Sequence, residues 1–275
     1  MTWCWCCSGF RAPALRAASV AATVLAGAML VDAAPAPAGA PVDLELVFAV
    51  DVSSSVDDGE FELQMQGIAA AFRHSGVQAA IHVTGDRGIA VALVQWSEFV
   101  HQRMTIDWTV VRGAADAAAL ADDIATAGRA IPGGGTAIYG AINFALHEFD
   151  TNGYDGPRQV IDVSGDGRSD LLVPTMAARD RAVARGVAIN GLVILNDEPH
   201  LDRYYRANVI GGAEAFVLTV DDFEAFAAAM VTKLIREIAY APAVSSLPAS
   251  RNGLRDSAHW LEYPDTPVRA RRLSR

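Results

Sequence analysis

The sequence predicts a single α/β domain in three layers: a doubly wound, mostly parallel sheet covered by helices, with one antiparallel edge strand. Apolar runs rich in Val, Ile and Leu alternate with amphipathic stretches over ~200 residues, the pattern of strand–helix–strand units. The runs at 44–50 and 89–96 are apolar almost throughout, as strands buried on both faces are, and 158–163 and 187–195 read as further strands. The stretch 102–110 (QRMTIDWTV) alternates better and reads as the edge.

The first 36 residues read as a secretory signal. Arg11 and Arg16 precede an apolar stretch at 17–30, followed by the small residues of Val31-Asp32-Ala33 and Ala34-Pro35-Ala36. That stretch is Ala- and Gly-rich and shorter than the ~20 residues a membrane span needs. Cys4, Cys6 and Cys7 precede it, so the mature chain is expected to hold no cysteine and no disulfide. The expected location is the periplasm or the exterior. Residues 37–42 form a linker, and the domain is expected over 43–240.

Within the domain, Phe61, Met65, Ile68 and Phe72 recur at helical spacing in a helix over 57–74 that Gly76 ends. A turn at Gly85-Asp86-Arg87-Gly88 leads into the strand at 89–96 and then the edge strand. An Ala- and Asp-rich helix at 114–127 follows. The break Ile131-Pro132-Gly133-Gly134-Gly135-Thr136 launches a helix with Ile138, Ile142, Ala145 and Phe149 on one face. The strand at 158–163 runs into Ser164-Gly165-Asp166-Gly167, and a helix at 174–185 stops at Gly186. A short polar helix at 200–208 and a last strand at 214–220 come next. Asp221 or Asp222 caps a final helix whose Phe223, Phe226, Met230, Leu234 and Ile238 form a packing stripe. Residues 241–275, with four prolines and six arginines, read as a flexible, mildly basic tail.

A net charge of −10 and a pI near 5.0 argue against nucleic acid and other polyphosphate partners. Lys233 is the only lysine. The first strand–helix turn is acidic and lacks G-x-G-x-x-G, which excludes a dinucleotide site of that kind. There is no G-x-S-x-G elbow and no H-E-x-x-H. Gly165-Asp166-Gly167-Arg168-Ser169-Asp170 matches the acidic motif of haloacid-dehalogenase-type phosphatases. Those enzymes want a second aspartate where Ser53 stands and a lysine ahead of the motif, whereas Lys233 follows it.

The chemistry concentrates where the first strand ends. Asp51, Ser53 and Ser55 fall at alternate positions at the carboxyl edge of a parallel sheet, where such folds bind ligands. A carboxylate and two hydroxyls are hard oxygen donors suited to Mg²⁺, Mn²⁺ or Ca²⁺. The same stretch admits a plainer reading, since Ser55-x-x-Asp58 resembles a capping box before an acidic first helical turn. The Gly133–Gly135 loop with Thr136, and the strand end at Asp166, should reach the same edge.

Together these three segments resemble the metal-ion-dependent adhesion site of von Willebrand factor type A (vWA) domains, a Rossmann-like fold. The resemblance covers about residues 42–240 and is nearest to bacterial secreted members of uncharacterised function. It implies that Ser53 and Ser55 bind a divalent cation directly. Thr136 would bind directly or through water, and Asp51 and Asp166 mainly through water. Mg²⁺ is the expected ion, with Mn²⁺ or Ca²⁺ as alternatives. It further implies a non-enzymatic, monomeric domain whose partner, a protein or peptide, presents an Asp or Glu to the ion, with Ser54, Gly134 and Gly135 at the contact rim. A structural domain with a vestigial site, or a metal-assisted hydrolase, are the other readings. The resemblance also raises the expectation that the last helix shifts when the metal site changes state.

Overall fold

The computed structural model describes residues 39–240; the expected signal at 1–36 and the tail at 241–275 lie outside the described residues. The chain enters through a two-residue strand, β1 (Ala40–Pro41), and continues into β2 (Leu44–Asp51). Every residue of β2 is buried. Leu44, Leu46, Phe48 and Val50 face one apolar core, and Val47 and Ala49 face another. A strand covered on both sides in this way must sit at the centre of a three-layer domain.

α1 (Asp58–Arg73) and α2 (Ser75–Thr84) follow, then β3 (Ile89–Trp96), β4 (Gln102–Val111) and α3 (Ala114–Thr126). α4 (Ile138–Thr151), a two-residue β5 (Tyr154–Asp155), β6 (Gln159–Gly165) and α5 (Leu172–Ala184) come next. The chain closes with β7 (Ala188–Ile194), α6 (Leu201–Asn208), β8 (Val217–Val220) and α7 (Phe226–Ala239). Six strands make one sheet in the order β4-β3-β2-β6-β7-β8, and β1 pairs with β5 apart from it. All neighbours in the six-stranded sheet are parallel except β3 and β4. The expected architecture, with its antiparallel edge strand, is the one observed.

Apolar residues of α1, α2, α3 and α7 fill one core, those of α4, α5 and α6 the other. β2 and β6 are adjacent, with Ala49 opposite Val163 and Val50 opposite Ser164. Their carboxyl ends, Asp51 and Asp166, therefore emerge side by side, and this juxtaposition builds the site.

Three local expectations are corrected. Gly76 does not end the first helix. α1 stops at Arg73, and His74 is extended (φ −72°, ψ 131°) and caps α2, its Nδ1 accepting from Gly76 N at 3.1 Å. Val77, Ala80 and Ile81 then bury a second short helix whose stripe is too brief to stand out by periodicity. The last strand begins at Val217 rather than 214, because Gly212 (φ 95°) and Glu214 (φ 55°) turn the chain just before it. The last helix begins at Phe226. Asp222 Oδ1 accepts from Ala225 N at 3.0 Å, so this aspartate caps the turn leading into the helix rather than the helix itself.

Candidate metal centre

Beyond Asp51 the chain turns sharply and the aspartate's own side chain shapes the turn. Asp51 Oδ1 accepts from Ser53 N at 2.7 Å, the local bond by which Asp organises a loop. Ser53 Oγ then lies 3.2 Å from Ser55 Oγ, and Ser55 Oγ donates to Asp166 Oδ1 at 2.7 Å. Four of the five expected ligands thus form one hydrogen-bonded string across the ends of β2 and β6.

The helix start does not involve Ser55. The capping box is made by Asp57 and Glu60, with Glu60 N donating to Asp57 Oδ1 at 2.8 Å and Asp57 N to Glu60 Oε2 at 2.9 Å. The Ser55-x-x-Asp58 cap is therefore a correction, and the Ser55 hydroxyl is left facing Asp166.

The glycine loop arrives from the side. Ser54 N donates to Gly134 O at 3.0 Å, and Ala137 N donates to Ser97 O at 2.8 Å. Thr136 is clamped by Asp170: Thr136 N donates to Asp170 Oδ2 at 2.9 Å, and Asp170 N donates to Thr136 O at 2.8 Å. A Cβ at Gly135 would run into Asp170 Oδ2, so a larger residue here would push aside the carboxylate that holds the Thr136 amide. Thr136 Oγ1 is 3.7 Å from the Cβ position of Gly167, so its hydroxyl faces the loop that carries Asp166. All three segments meet at one edge of the sheet.

Several contributors carried no local signal in the sequence. Gln64 Nε2 donates to Asp51 O at 3.1 Å, while its Oε1 accepts from Ser164 Oγ at 3.1 Å, tying the two strand ends together. Arg129 donates to the carbonyls of Val52, Val56 and Asp57 and fixes the loop from outside. Tyr205 places its hydroxyl beside Asp51 Oδ2: a Cβ on Gly165 would lie 2.9 Å from the first and 2.7 Å from the second. Asp170 was visible only as the last residue of the phosphatase-like motif; here it holds the Thr136 amide.

The site is acidic, and Arg129, on its outer side, offsets the burial of Asp51 only as the smallest of the influences on that carboxyl. Asp51 and Asp166 are buried, and in each the Oδ2 atom has no hydrogen-bond partner among the described residues. Burial, followed by the facing Asp166, pushes the Asp51 carboxyl up to about 7, while Ser53 opposes the shift. Burial likewise raises Asp166 against the bond from Ser55. Burial and then Asp51 hold the Tyr205 phenol well above its ordinary value, so it stays neutral. Among the described residues no three His, Cys, Asp or Glu side chains stand close enough to hold a metal by themselves. A cation at this edge would need the hydroxyls as well. Two carboxylates with bare oxygens beside three hydroxyls fit a hard divalent ion.

A family model described as "Protein of unknown function (DUF1194)" matches residues 41–242. The chain belongs to the DUF1194 family. No curated protein matches it. The DUF1194 domain has the vWA fold, as solved structures of low identity show. Proximal thread matrix protein 1 from the mussel byssus, in a structure with a zinc-occupied MIDAS motif, is 15% identical with a TM-score of 0.51, over 73% of this chain and 49% of that one. The vWF domain of the type V pili tip protein Mfa5 from Porphyromonas gingivalis is 14% identical with a TM-score of 0.51, over 74% and 98%. The pilus adhesin SpaC from Lactobacillus rhamnosus GG is 12% identical with a TM-score of 0.50, over 72% and 30%. The DUF1194 chain thus spans about half the length of the thread matrix protein and about a third of SpaC.

Proposed function

We propose that this DUF1194 domain, over residues 43–240, binds a protein or peptide partner through a divalent cation. Ser53, Ser55 and Thr136 would offer hydroxyl oxygens to the ion, with Asp51 and Asp166 behind them. The observation that carries this reading is the pair of buried Oδ2 atoms on Asp51 and Asp166, without hydrogen-bond partners among the described residues, beside the Ser53 and Ser55 hydroxyls. Such groups are costly to bury unless a cation compensates them. When bound, the cation supplies a positive centre that an Asp or Glu of the partner can reach. Hydroxyl ligands are neutral, so the charge of the ion would be only partly cancelled.

Mg²⁺ is the proposed ion, because it uses few protein carboxylates and retains water; Mn²⁺ and Ca²⁺ are the alternatives. Exposed Ser54 and the half-exposed Gly134 and Gly135 stand at the rim, where a partner would touch the protein. Neighbours of like fold, a byssal thread matrix protein, a pilus adhesin and a pili tip protein, support an adhesive, non-catalytic role outside the cytoplasm. Among the described residues no helix is long and apolar enough to cross a membrane.

Titration calorimetry with Mg²⁺ and Mn²⁺ tests the reading. Uptake by the native protein that is lost in Asp51→Ala supports it. Absence of binding heat in both proteins would leave a structural domain with a vestigial site. A pull-down from the cell envelope, with and without chelator, would then reveal the partner.

A further inference from the structure

A second cluster of charge lies away from the metal edge, between the sheet and α7. Lys233, the chain's only lysine, is 0% exposed. Its Nζ is 2.6 Å from Asp162 Oδ1 on β6 and 2.5 Å from Glu237 Oε1 one turn along α7. Asp162 and Glu237 are 1% and 2% exposed. Two carboxylates therefore face a single ammonium in a site closed to solvent. The ring of Phe216 lies 5.5 Å from Nζ and adds an apolar wall.

The two acids are held differently. Glu237 Oε1 also accepts from Asn190 Nδ2 at 2.7 Å, and Asn190 Oδ1 is itself fixed by Phe216 N at 3.1 Å. Asp162 Oδ1 is taken up by the amine, while its Oδ2 has no hydrogen-bond partner among the described residues. A plain buried ion pair would be one acid against one base with every remaining lone pair satisfied. Here there is an extra acid, and the carboxyl held against the nitrogen keeps one buried oxygen, Oδ2, without a partner among the described residues.

We propose that Lys233 and Asp162 become joined by an intramolecular amide bond between Lys233 Nζ and Asp162 Cγ, with Glu237 relaying the proton. The Lys233 ammonium first passes a proton to Asp162, giving a neutral amine against a neutral carboxylic acid. The Nζ lone pair attacks Cγ, and Glu237 takes the proton that the nitrogen loses. Glu237 returns that proton to the departing hydroxyl, which leaves as water. One C–N bond forms, one C–O bond breaks, and no oxidant or cofactor takes part.

Three features favour this reaction. An amine that touches a carboxyl oxygen is already near attacking distance of its carbon, about 3–3.5 Å, and such held pairs react far faster than free ones. Burial followed by the Glu237 carboxylate raises Asp162, against the pull of Lys233, and so favours the protonated, electrophilic form. A cavity of about 210 Å³ lined in part by Asn190, Phe216, Arg236 and Glu237 borders the cluster on the Glu237 side, where the released water would go.

Intact-mass spectrometry of the purified full chain is the test, followed by trypsin digestion under denaturing conditions. The expected mass is lower than that of the encoded chain, after any leader processing, by one water. The digest should contain residues 159–168 linked to residues 207–236 and left uncut at Lys233. Glu237→Gln and Lys233→Met are expected to retain the water, with far-ultraviolet circular dichroism confirming that they fold. A folded native protein that keeps the full mass after prolonged incubation, and is cut at Lys233, overturns the proposal. So does a loss of water that maps to a Lys233–Glu237 link, or one that persists undiminished in Glu237→Gln.

Discussion

Gly165 is the residue at which the site has no room to spare. Its missing Cβ leaves space for both Asp51 Oδ2 and Tyr205 Oη. Gly165→Ala is expected to destabilise the domain by about 1–3 kcal/mol, the usual cost of overpacking. It should also weaken Mg²⁺ uptake; urea unfolding and calorimetry measure the two effects. The carboxyls predict a pH dependence of defined sign. Asp51, raised to about 7, and Asp166, raised in the same direction, hold protons in the folded state at pH values where the unfolded chain has released them. Without metal, stability should therefore fall as pH rises from about 4 through 7. Melting curves in chelator are expected to give a lower Tm at pH 8 than at pH 6, and Mg²⁺ to narrow the gap. The Asp51, Ser53 and Ser55 pattern was legible because alternate positions of one strand end point the same way. Tyr205 was not, because only the path of β7 and α6 brings it under Asp51.

At the scale of elements, α1 and α7 lie close together. A Cβ on Gly67 would come within 2.7 Å of Phe226 Cδ1 and 3.2 Å of Ala227 Cα. Alanine is the better helix former by about 1 kcal/mol. Gly67→Ala is nevertheless expected to lower Tm, because this glycine sets the spacing of the two helices. On the same face Phe72 meets Phe48 edge-on, with ring centroids 5.9 Å apart. Phe72→Ala should cost about 3–5 kcal/mol in chemical denaturation. The stripes of α1, α4 and α7 could be read from the sequence because each repeats over three or more turns. α2 could not, since its ten residues offer too few repeats and begin at a histidine cap. The strand β8 was overextended for a related reason: Ala215 and Phe216 continue its apolar pattern although the backbone has not yet straightened.

Across the whole molecule, two cores on opposite faces of one sheet leave the carboxyl edge as the place where distant loops can meet. That much follows from the alternation of strands and helices. The meeting of Thr136 with the Asp166 loop depends on Asp170 and Ser97, which no spacing in the chain announces. The resemblance raised the prospect of a last helix that moves with the metal, and the anchoring of α7 to β6 through Lys233 argues for a helix that stays put. Hydrogen exchange should show Mg²⁺ protecting the loops around 51–55, 133–136 and 166–170 while leaving 226–239 unchanged. A marked change in 226–239 would contradict that anchoring.

Lys233 has one more consequence, for anyone who handles this protein at the bench. With Lys233 enclosed and no other lysine in the chain, acylating dyes and activated-ester surfaces find no lysine side chain on the folded domain. Conjugation by that chemistry therefore attaches through whichever exposed position is given a lysine by mutation, and every copy takes the same orientation.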